Sequence, residues 1–202
     1  METFEVIKNR RSIRKYKPIP LNWDDVAKIL DAAHYAPTSG NQQCWKFIVV
    51  QSKKIKEEIA KACFEQTWIE TAPVIIVVCS DIEKMERAYG IRGKMFYAVQ
   101  ECAAAVENAL LTAESIGIST CWVGAFDDAA LHRILEIPDK SKAQAVITLG
   151  YADEKVPFPG KIDLRHLVYF EKYGVFQKDL SLFPLEKNIE KIKEKGRSLF
   201  KK

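Results

Sequence analysis

The strongest constraint in this chain is the apolar run Ala72 to Cys79, in which Val74-Ile75-Ile76-Val77-Val78 follows a proline without a polar break. β-Branched side chains are stiff at χ1 and pack well on a pleated surface, so the run reads as a strand. It shows no alternation between apolar and polar residues, so both of its faces must be covered, which makes it a central strand. Phe47 to Val50 has the same character and reads the same way. Cys121 to Val123 and Ala143 to Leu149, the latter ending at Gly150, add two further strands, and Leu164 to Phe170 reads as one more strand or an extended arm.

Between these runs the apolar spacing changes to three and four residues, the period of a helix. Thr3 to Asn9 predicts a short helix with Phe4, Ile7 and Val6 turned inward. Asn22 is placed to cap the next one; Asp24 and Asp25 favour its first turn, Val26, Ile29, Leu30 and Ala33 form its stripe, and Pro37 marks its stop. Helical spacing recurs over Ile55 to Phe64 and Asp128 to Leu135. The longest pattern runs from Tyr97 to Ile116, with Val99, Cys102, Val106, Ala109, Leu110 and Ala113 on one stripe and Gly117 closing it. Its Ala103-Ala104-Ala105 keeps one side thin, which suits a second helix at close range, either at a dimer interface or within one subunit. From Leu185 onward Ile189, Ile192 and Leu199 recur at helical spacing among lysines, an amphipathic helix expected to dock on its own or a partner subunit rather than on a membrane.

A length of 202 residues with 48% hydrophobic content suits one domain with a sizeable core. The apolar run is too short to cross a bilayer, and the start Met1-Glu2-Thr3-Phe4-Glu5 lacks the basic end and apolar stretch of a signal peptide, so a cytoplasmic protein is expected. The five cysteines, Cys44, Cys63, Cys79, Cys102 and Cys121, are scattered and form no Cys-x-x-Cys pair, and only three histidines accompany them. Neither a disulfide framework nor a metal site is expected; Cys79 and Cys102, inside apolar stretches, read as small buried hydrophobes. The net charge of +4 conceals an asymmetry, because Lys8 to Lys17 holds six basic residues and no acid, and without them 25 basic residues face 27 acids. A local positive charge suits a discrete anionic ligand better than a surface laid along a polymer.

Three clusters carry the candidate chemistry. Arg10-Arg11-Ser12-Ile13-Arg14 combines guanidinium forks with a hydroxyl, a set able to clamp a phosphate, although a solvated charged face or a nucleic-acid patch has the same look. Ala36-Pro37-Thr38-Ser39-Gly40-Asn41-Gln42-Gln43-Cys44-Trp45 is a polar loop before a buried strand, with hydroxyls and amides free to bind a ligand or simply to make a turn. Gly117 to Phe126 includes Gly124 and Ala125, whose lack of bulk lets backbone N–H groups approach a flat ring, or lets a strand end pack tightly.

In order and spacing these clusters resemble the FMN-dependent nitroreductase family, with its Arg-x-Ser-x-Arg start, Ala-Pro-Ser-x-x-Asn-x-Gln-Pro-Trp-x-Phe loop, Ala-rich helix opening on Gln-Glu or Gln-Asp, and Gly-Leu-Gly-x-x-Trp strand. Here they read Arg10 to Arg14, Ala36 to Phe47, Gln100-Glu101 through Leu111, and Gly117 to Trp122, followed by Leu149-Gly150-Tyr151 and Lys161. The resemblance covers about Phe4 to Gly174. It implies an α+β fold, a three-layer α/β/α sandwich around a mixed, mainly antiparallel sheet, spanning residues 1–174, with 175–202 as an extension. It implies a homodimer whose two FMN sites draw on both subunits.

By carry-over, Arg10, Arg11 and Ser12 contact the phosphate and ribityl chain, Lys161 the phosphate, and Arg14 the flavin N1 and O2, where a cation favours the reduced form. Ser39 and Asn41 reach the flavin from the other subunit, Gln66 meets the pyrimidine edge, the backbone of Gly124 and Ala125 faces N5, and Trp122 and Val123 are further cofactor-binding positions. Arg14 and Gly124 stand nearest the chemistry. Cys44 replaces the family proline, and Gly124 stands where some members carry glutamate. The implied reaction is ping-pong transfer of hydride from NAD(P)H through the flavin to a small oxidised acceptor: a nitroaromatic, a quinone or a flavin. Alternatives within the family are a reductive dehalogenase or a flavin-degrading enzyme, and outside catalysis an FMN carrier or redox sensor. A nucleic-acid-binding reading explains Lys8 to Lys17 but leaves the other two clusters idle.

Overall fold

The computed structural model describes residues 2–176. Residues 2–157 form one compact unit and the chain from Phe158 belongs to a second. In the first unit the elements follow as α1 (Thr3–Asn9), α2 (Trp23–His34), β1 (Trp45–Val50), α3 (Lys53–Ala62), β2 (Val74–Asp81), α4 (Ile82–Arg92), α5 (Ala98–Ser115), β3 (Ser119–Val123), α6 (Asp128–Leu135) and β4 (Ser141–Gly150). Local signals set several of these bounds. Asn22 accepts from the N–H of Asp24, Asp81 caps α4 through Lys84, Asp127 caps α6 through Ala130, and Gly117, at φ 80°, follows α5 in the left-handed region that its C-terminus needs.

The four strands run in the order β1-β2-β4-β3, every neighbour antiparallel. Among the described residues the one parallel pairing is an isolated bridge between Ser12 and Thr120. β2 is the central strand its composition demands, buried from Val74 to Ser80. Successive β2 side chains go to opposite cores. Val74, Ile76 and Val78 pack with α2 and α5 on one face, and Ile75, Val77 and Cys79 pack with α3 and α6 on the other. These two cores make the sandwich, as expected.

Some expectations need correction. β1 is an edge strand with partly exposed middle residues, because apolar side chains alone do not supply a second neighbour. In α1 only Val6 is buried, while Phe4 and Ile7 stay 45% and 50% exposed, and Val99 of the α5 stripe is 45% exposed. The remaining α5 stripe is buried within this one subunit, between α2 and the sheet. Leu164 to Phe170 is no strand: it opens with a single 3-10 turn, Leu164–His166, capped by Asp163. The expected amphipathic helix from Leu185 lies outside the described residues. All five cysteines are free and buried. Among the described residues no helix is long and apolar enough to cross a membrane.

Candidate active site

The basic segment is built onto the outer edge of β3. Arg11 turns back on α1, its Nη1 donating to the carbonyls of Lys8 at 2.7 Å and Arg10 at 2.8 Å, acceptors that the end of a helix leaves open. The chain then bridges β3 at Ser12 and Thr120, and the N–H of Ile13 donates to the Thr120 carbonyl at 2.9 Å. Ile13 is buried and Arg14 exposed, the alternation of an extended chain. The Arg14 guanidinium lies over the Trp68 ring, 5.8 Å from its centre. Glu154 Oε1 accepts from the backbone N–H groups of Arg14 at 2.6 Å and Lys15 at 3.0 Å, so one carboxylate oxygen fixes the segment's path. From below, the Tyr16 hydroxyl bonds the Ile13 carbonyl at 2.6 Å.

Charge follows the same geometry. Burial raises the Cys121 thiol pKa, while Arg14, a hydrogen bond from Ser12, and Arg10 pull it back, so all three act on one residue of β3. Burial also raises the Glu114 carboxyl pKa near the end of α5, and Arg10 and Arg11 oppose that rise. Beyond Thr120 the strand continues for three residues, about 10 Å, to Val123, which points inward and offers only its backbone. Trp122, Gly124 and Ala125 are exposed, and a Cβ placed on Gly124 would meet no atom within 4 Å, so the space over this backbone is open. Gln66 sits at the head of the turn that carries Trp68, its Nε2 donating to the Cys63 carbonyl at 2.8 Å. Lys161 is exposed in the second unit.

The polar loop before β1 is held in an unusual backbone state. Gly40, Asn41 and Gln43 have φ of 51°, 56° and 50°, left-handed values that cost a non-glycine residue about 1–3 kcal/mol unless the surroundings enforce them. The surroundings do. Glu101 is only 4% exposed, and its Oε2 accepts from the Thr38 hydroxyl at 2.8 Å while its Oε1 accepts from the Ser39 N–H at 2.8 Å. Thr38 Oγ1 in turn accepts from the Gln43 N–H at 2.8 Å, Lys84 Nζ donates to the Gln42 carbonyl, and Gln43 Nε2 donates to Asn41 Oδ1 at 2.8 Å. Any Cβ on Gly40 would collide with the Tyr89 hydroxyl. Ser39 is half-buried and Asn41 is exposed. At the loop's end Cys44 is fully buried, and its carbonyl accepts from the Asp81 N–H at 2.7 Å.

Within one chain the two halves lie far apart. The loop meets α5 at Glu101 and the basic segment acts on Glu114, which along a helix are about 20 Å apart. The sheet tells the same story, because β1 and β3 are its opposite edges, about 14 Å apart across the strands. The loop adjoins the end of the sheet where Trp45 faces Ser80, and the Ser12 bridge adjoins the end where Thr120 faces Leu149. Of the expected residues, Arg10, Arg11, Ser12, Arg14 and Gln66 therefore gather around β3 with Trp122 to Ala125, while Ser39 and Asn41 stand at the opposite corner. Three residues that fix this geometry, Glu101, Tyr16 and Glu154, carry no role in the sequence reading. Only Glu101 left a trace there, as an acid inside the Ala-rich helix. Among the described residues no group of three or more His, Cys, Asp or Glu is disposed to hold a metal.

An antiparallel sheet with helix layers on both faces is the architecture of a known class. The solved structure of a nitroreductase family protein from Clostridium novyi NT aligns with 87% of this chain and 97% of its own, with a TM-score of 0.69 and 33% identity. The nitroreductase family model matches residues 7–71 and 63–151. A protein of Archaeoglobus fulgidus whose name carries the words NADH dehydrogenase/NAD(P)H nitroreductase is 35% identical over 161 residues, which are 78% of this chain and 89% of that protein. The FMN reductase [NAD(P)H] of Bacillus subtilis is 31% identical over 168 residues, 76% of this chain and 67% of that protein. The chain belongs to the nitroreductase family.

Proposed function

We propose that this chain is an NAD(P)H-dependent FMN oxidoreductase that works as a homodimer and reduces a small oxidised acceptor, such as a nitroaromatic, a quinone or a free flavin. The observation that carries the reading is the placing of the two groups of site residues at opposite ends of α5. A twofold axis across α5 lays two copies antiparallel, which brings the loop of one subunit to the basic segment of the other, twice per dimer. The surface around α5 suits such a contact: Phe4, Ile7, Met95, Phe96 and Val99 are each at least 43% exposed, on α5 itself and on two segments, α1 and the turn 93–97, that each pack against it.

The donor set fits FMN. Arg10 and Ser12 are suited to the phosphate and ribityl chain, and Arg11 braces the segment and adds to its field; Lys161 is assigned to the phosphate on the family resemblance alone. Arg14 and Gln66 fall at the pyrimidine end, and the open backbone of Gly124 and Ala125 lies along the reacting face. Ser39 and Asn41 come from the partner subunit. When bound, FMN supplies the redox chemistry, accepting hydride from the nicotinamide and delivering it to the acceptor. The chain's own part is to orient the ring, to leave one face clear for donor and acceptor in turn, and to hold positive charge at Arg14. One shared open face requires the two to alternate, which is a ping-pong order. The kinship with the FMN reductase of B. subtilis supports the cofactor and the donor.

Purified protein should be yellow and release one FMN per chain on heating, and NAD(P)H oxidation at several acceptor concentrations should give parallel double-reciprocal lines. Release of FAD, or no uptake of FMN at micromolar concentration, sinks the cofactor. Loaded protein that oxidises no NAD(P)H would be a carrier or sensor, and intersecting lines would remove the ping-pong order.

A further inference from the structure

We infer that Glu101 is a positioning residue for flavin binding, acting through Thr38 and Ser39 to hold the loop that presents Ser39 and Asn41 to the partner's site; this rests on the flavin reading above. The carboxylate is nearly enclosed, and both of its oxygens are committed to the loop. The Thr38 O–H points at Glu101, to which it donates. That leaves a Thr38 lone pair for the Gln43 N–H and closes a ring of hydrogen bonds from residue 38 to residue 43. Three of the six residues so enclosed have left-handed φ, a backbone that relaxes if the ring opens.

The position of Glu101 also matters. It projects from α5, whose own burial is complete on that side through Ala98, Cys102 and Ala105, so its base does not move. A rigid helix thereby transmits a fixed position to an exposed loop. A buried carboxylate is costly to desolvate and is weak evidence for a purely stabilising role. Spending one on two loop groups makes sense where the loop's shape, rather than the chain's overall stability, is what must be preserved.

The test uses the full chain as purified, with FMN as the probe, in Glu101→Ala, Glu101→Gln, Thr38→Val and the double variant Thr38→Val/Glu101→Ala. FMN affinity is read by fluorescence quenching, the ring environment by the visible circular dichroism of bound flavin, and folding by the melting of the apoproteins. Glu101→Ala should weaken FMN about tenfold, equivalent to about 1.4 kcal/mol, and change the flavin dichroism. Glu101→Gln should stay within about threefold of the parent, because the amide oxygen can serve Ser39 while the amide nitrogen donates to Thr38. The double variant should be no worse than Glu101→Ala, since both changes open one ring.

Parental affinity and dichroism in Glu101→Ala overturn the inference, and so do losses that multiply in the double variant. If Glu101→Ala does not fold, Thr38→Val decides: a several-fold loss in a folded protein supports the role, and parental affinity overturns it. A parent that takes up no FMN overturns the flavin reading itself, and the role of Glu101 with it.

Discussion

The hydroxyls of Tyr16 and Thr148 meet at 2.7 Å in the interior, joining the basic segment to β4, the strand that β3 pairs with. The same phenol donates to the Ile13 carbonyl, so one side chain ties down the backbone between Ser12 and Arg14. Tyr16→Phe keeps the ring and removes this tie, while the Thr148 hydroxyl, which donates to the phenol in the parent, can turn its one proton to the Cys121 carbonyl 3.4 Å away. The expected cost is about 1–2 kcal/mol in urea unfolding, accompanied by weaker FMN binding. An unchanged urea midpoint would show that the bond is idle.

Stability should fall in alkali, starting earlier than surface chemistry requires. Burial raises the Cys63 and Cys79 thiols to about 11 and pushes the Tyr16 phenol well above its ordinary value. A raised folded pKa means the native state holds its proton where the unfolded chain has lost it. Its contribution is therefore full below the unfolded pKa, about 8.5 for a thiol, and is lost as pH rises toward the folded value. Melting temperature should decline from about pH 9 upward, and Cys79→Ala should flatten that slope even if it lowers stability at neutral pH. Identical slopes in parent and variant would remove the thiol from the account.

Gly40 makes a prediction about the loop alone. Gly40→Ala adds a methyl group at φ 51°, where it collides with the Tyr89 hydroxyl. The loss of FMN affinity should be partly repaired by Tyr89→Phe in the same chain, because removing the hydroxyl leaves the nearest ring carbon at 3.5 Å. The φ penalty, about 1 kcal/mol, remains. No repair in the double variant would locate the damage wholly in the backbone.

Arg14 and Lys161 should separate by what each charge faces. The phosphate keeps its charge through reduction, so Lys161→Ala should weaken FMN binding without moving its midpoint potential. Arg14 is proposed to lie where negative charge appears on reduction, so Arg14→Ala should lower the potential. A tenfold preference for the reduced state corresponds to about 30 mV for a two-electron couple. Redox titration of both variants, fully loaded, makes the comparison; equal potentials in Arg14→Ala and the parent would move Arg14 to the phosphate end.

What could be read beforehand follows the range of the forces involved. The bounds of α1 and α6 are legible to the residue from helical spacing, which acts within a turn; in the structure Asp127 adds a cap to α6 through the Ala130 N–H, while α1 has no side-chain cap. β2 was legible because its composition admits no exposed face. The spacing predicts no helix over 82–96: only Met85 and Gly93 are buried there, and the break at Tyr89 and Gly90 spoils the period before the π-helical turn Gly93–Tyr97. The composition of β1 reads as that of a central strand, yet it lies at an edge, because a strand's neighbours are set by topology. The gathering of Arg10 to Arg14 beside Trp122 to Ala125 came from the resemblance rather than from periodicity. The grip of Glu101 on Thr38 joins residues 63 positions apart, and nothing local announces it.

The distance between the loop and the basic segment along α5 also has a genetic reading. In the proposed dimer built across that helix, each site would take its loop from one copy and its cations from the other. A chain crippled at Arg10 and Arg14 and a chain crippled at Thr38 and Asn41 are each inactive alone, since every site in either homodimer is damaged. Co-expressed, they form mixed dimers in which one site collects both lesions and the other collects none. Random assortment makes half the dimers mixed, so about a quarter of all sites regain parental activity, and two null alleles complement one another.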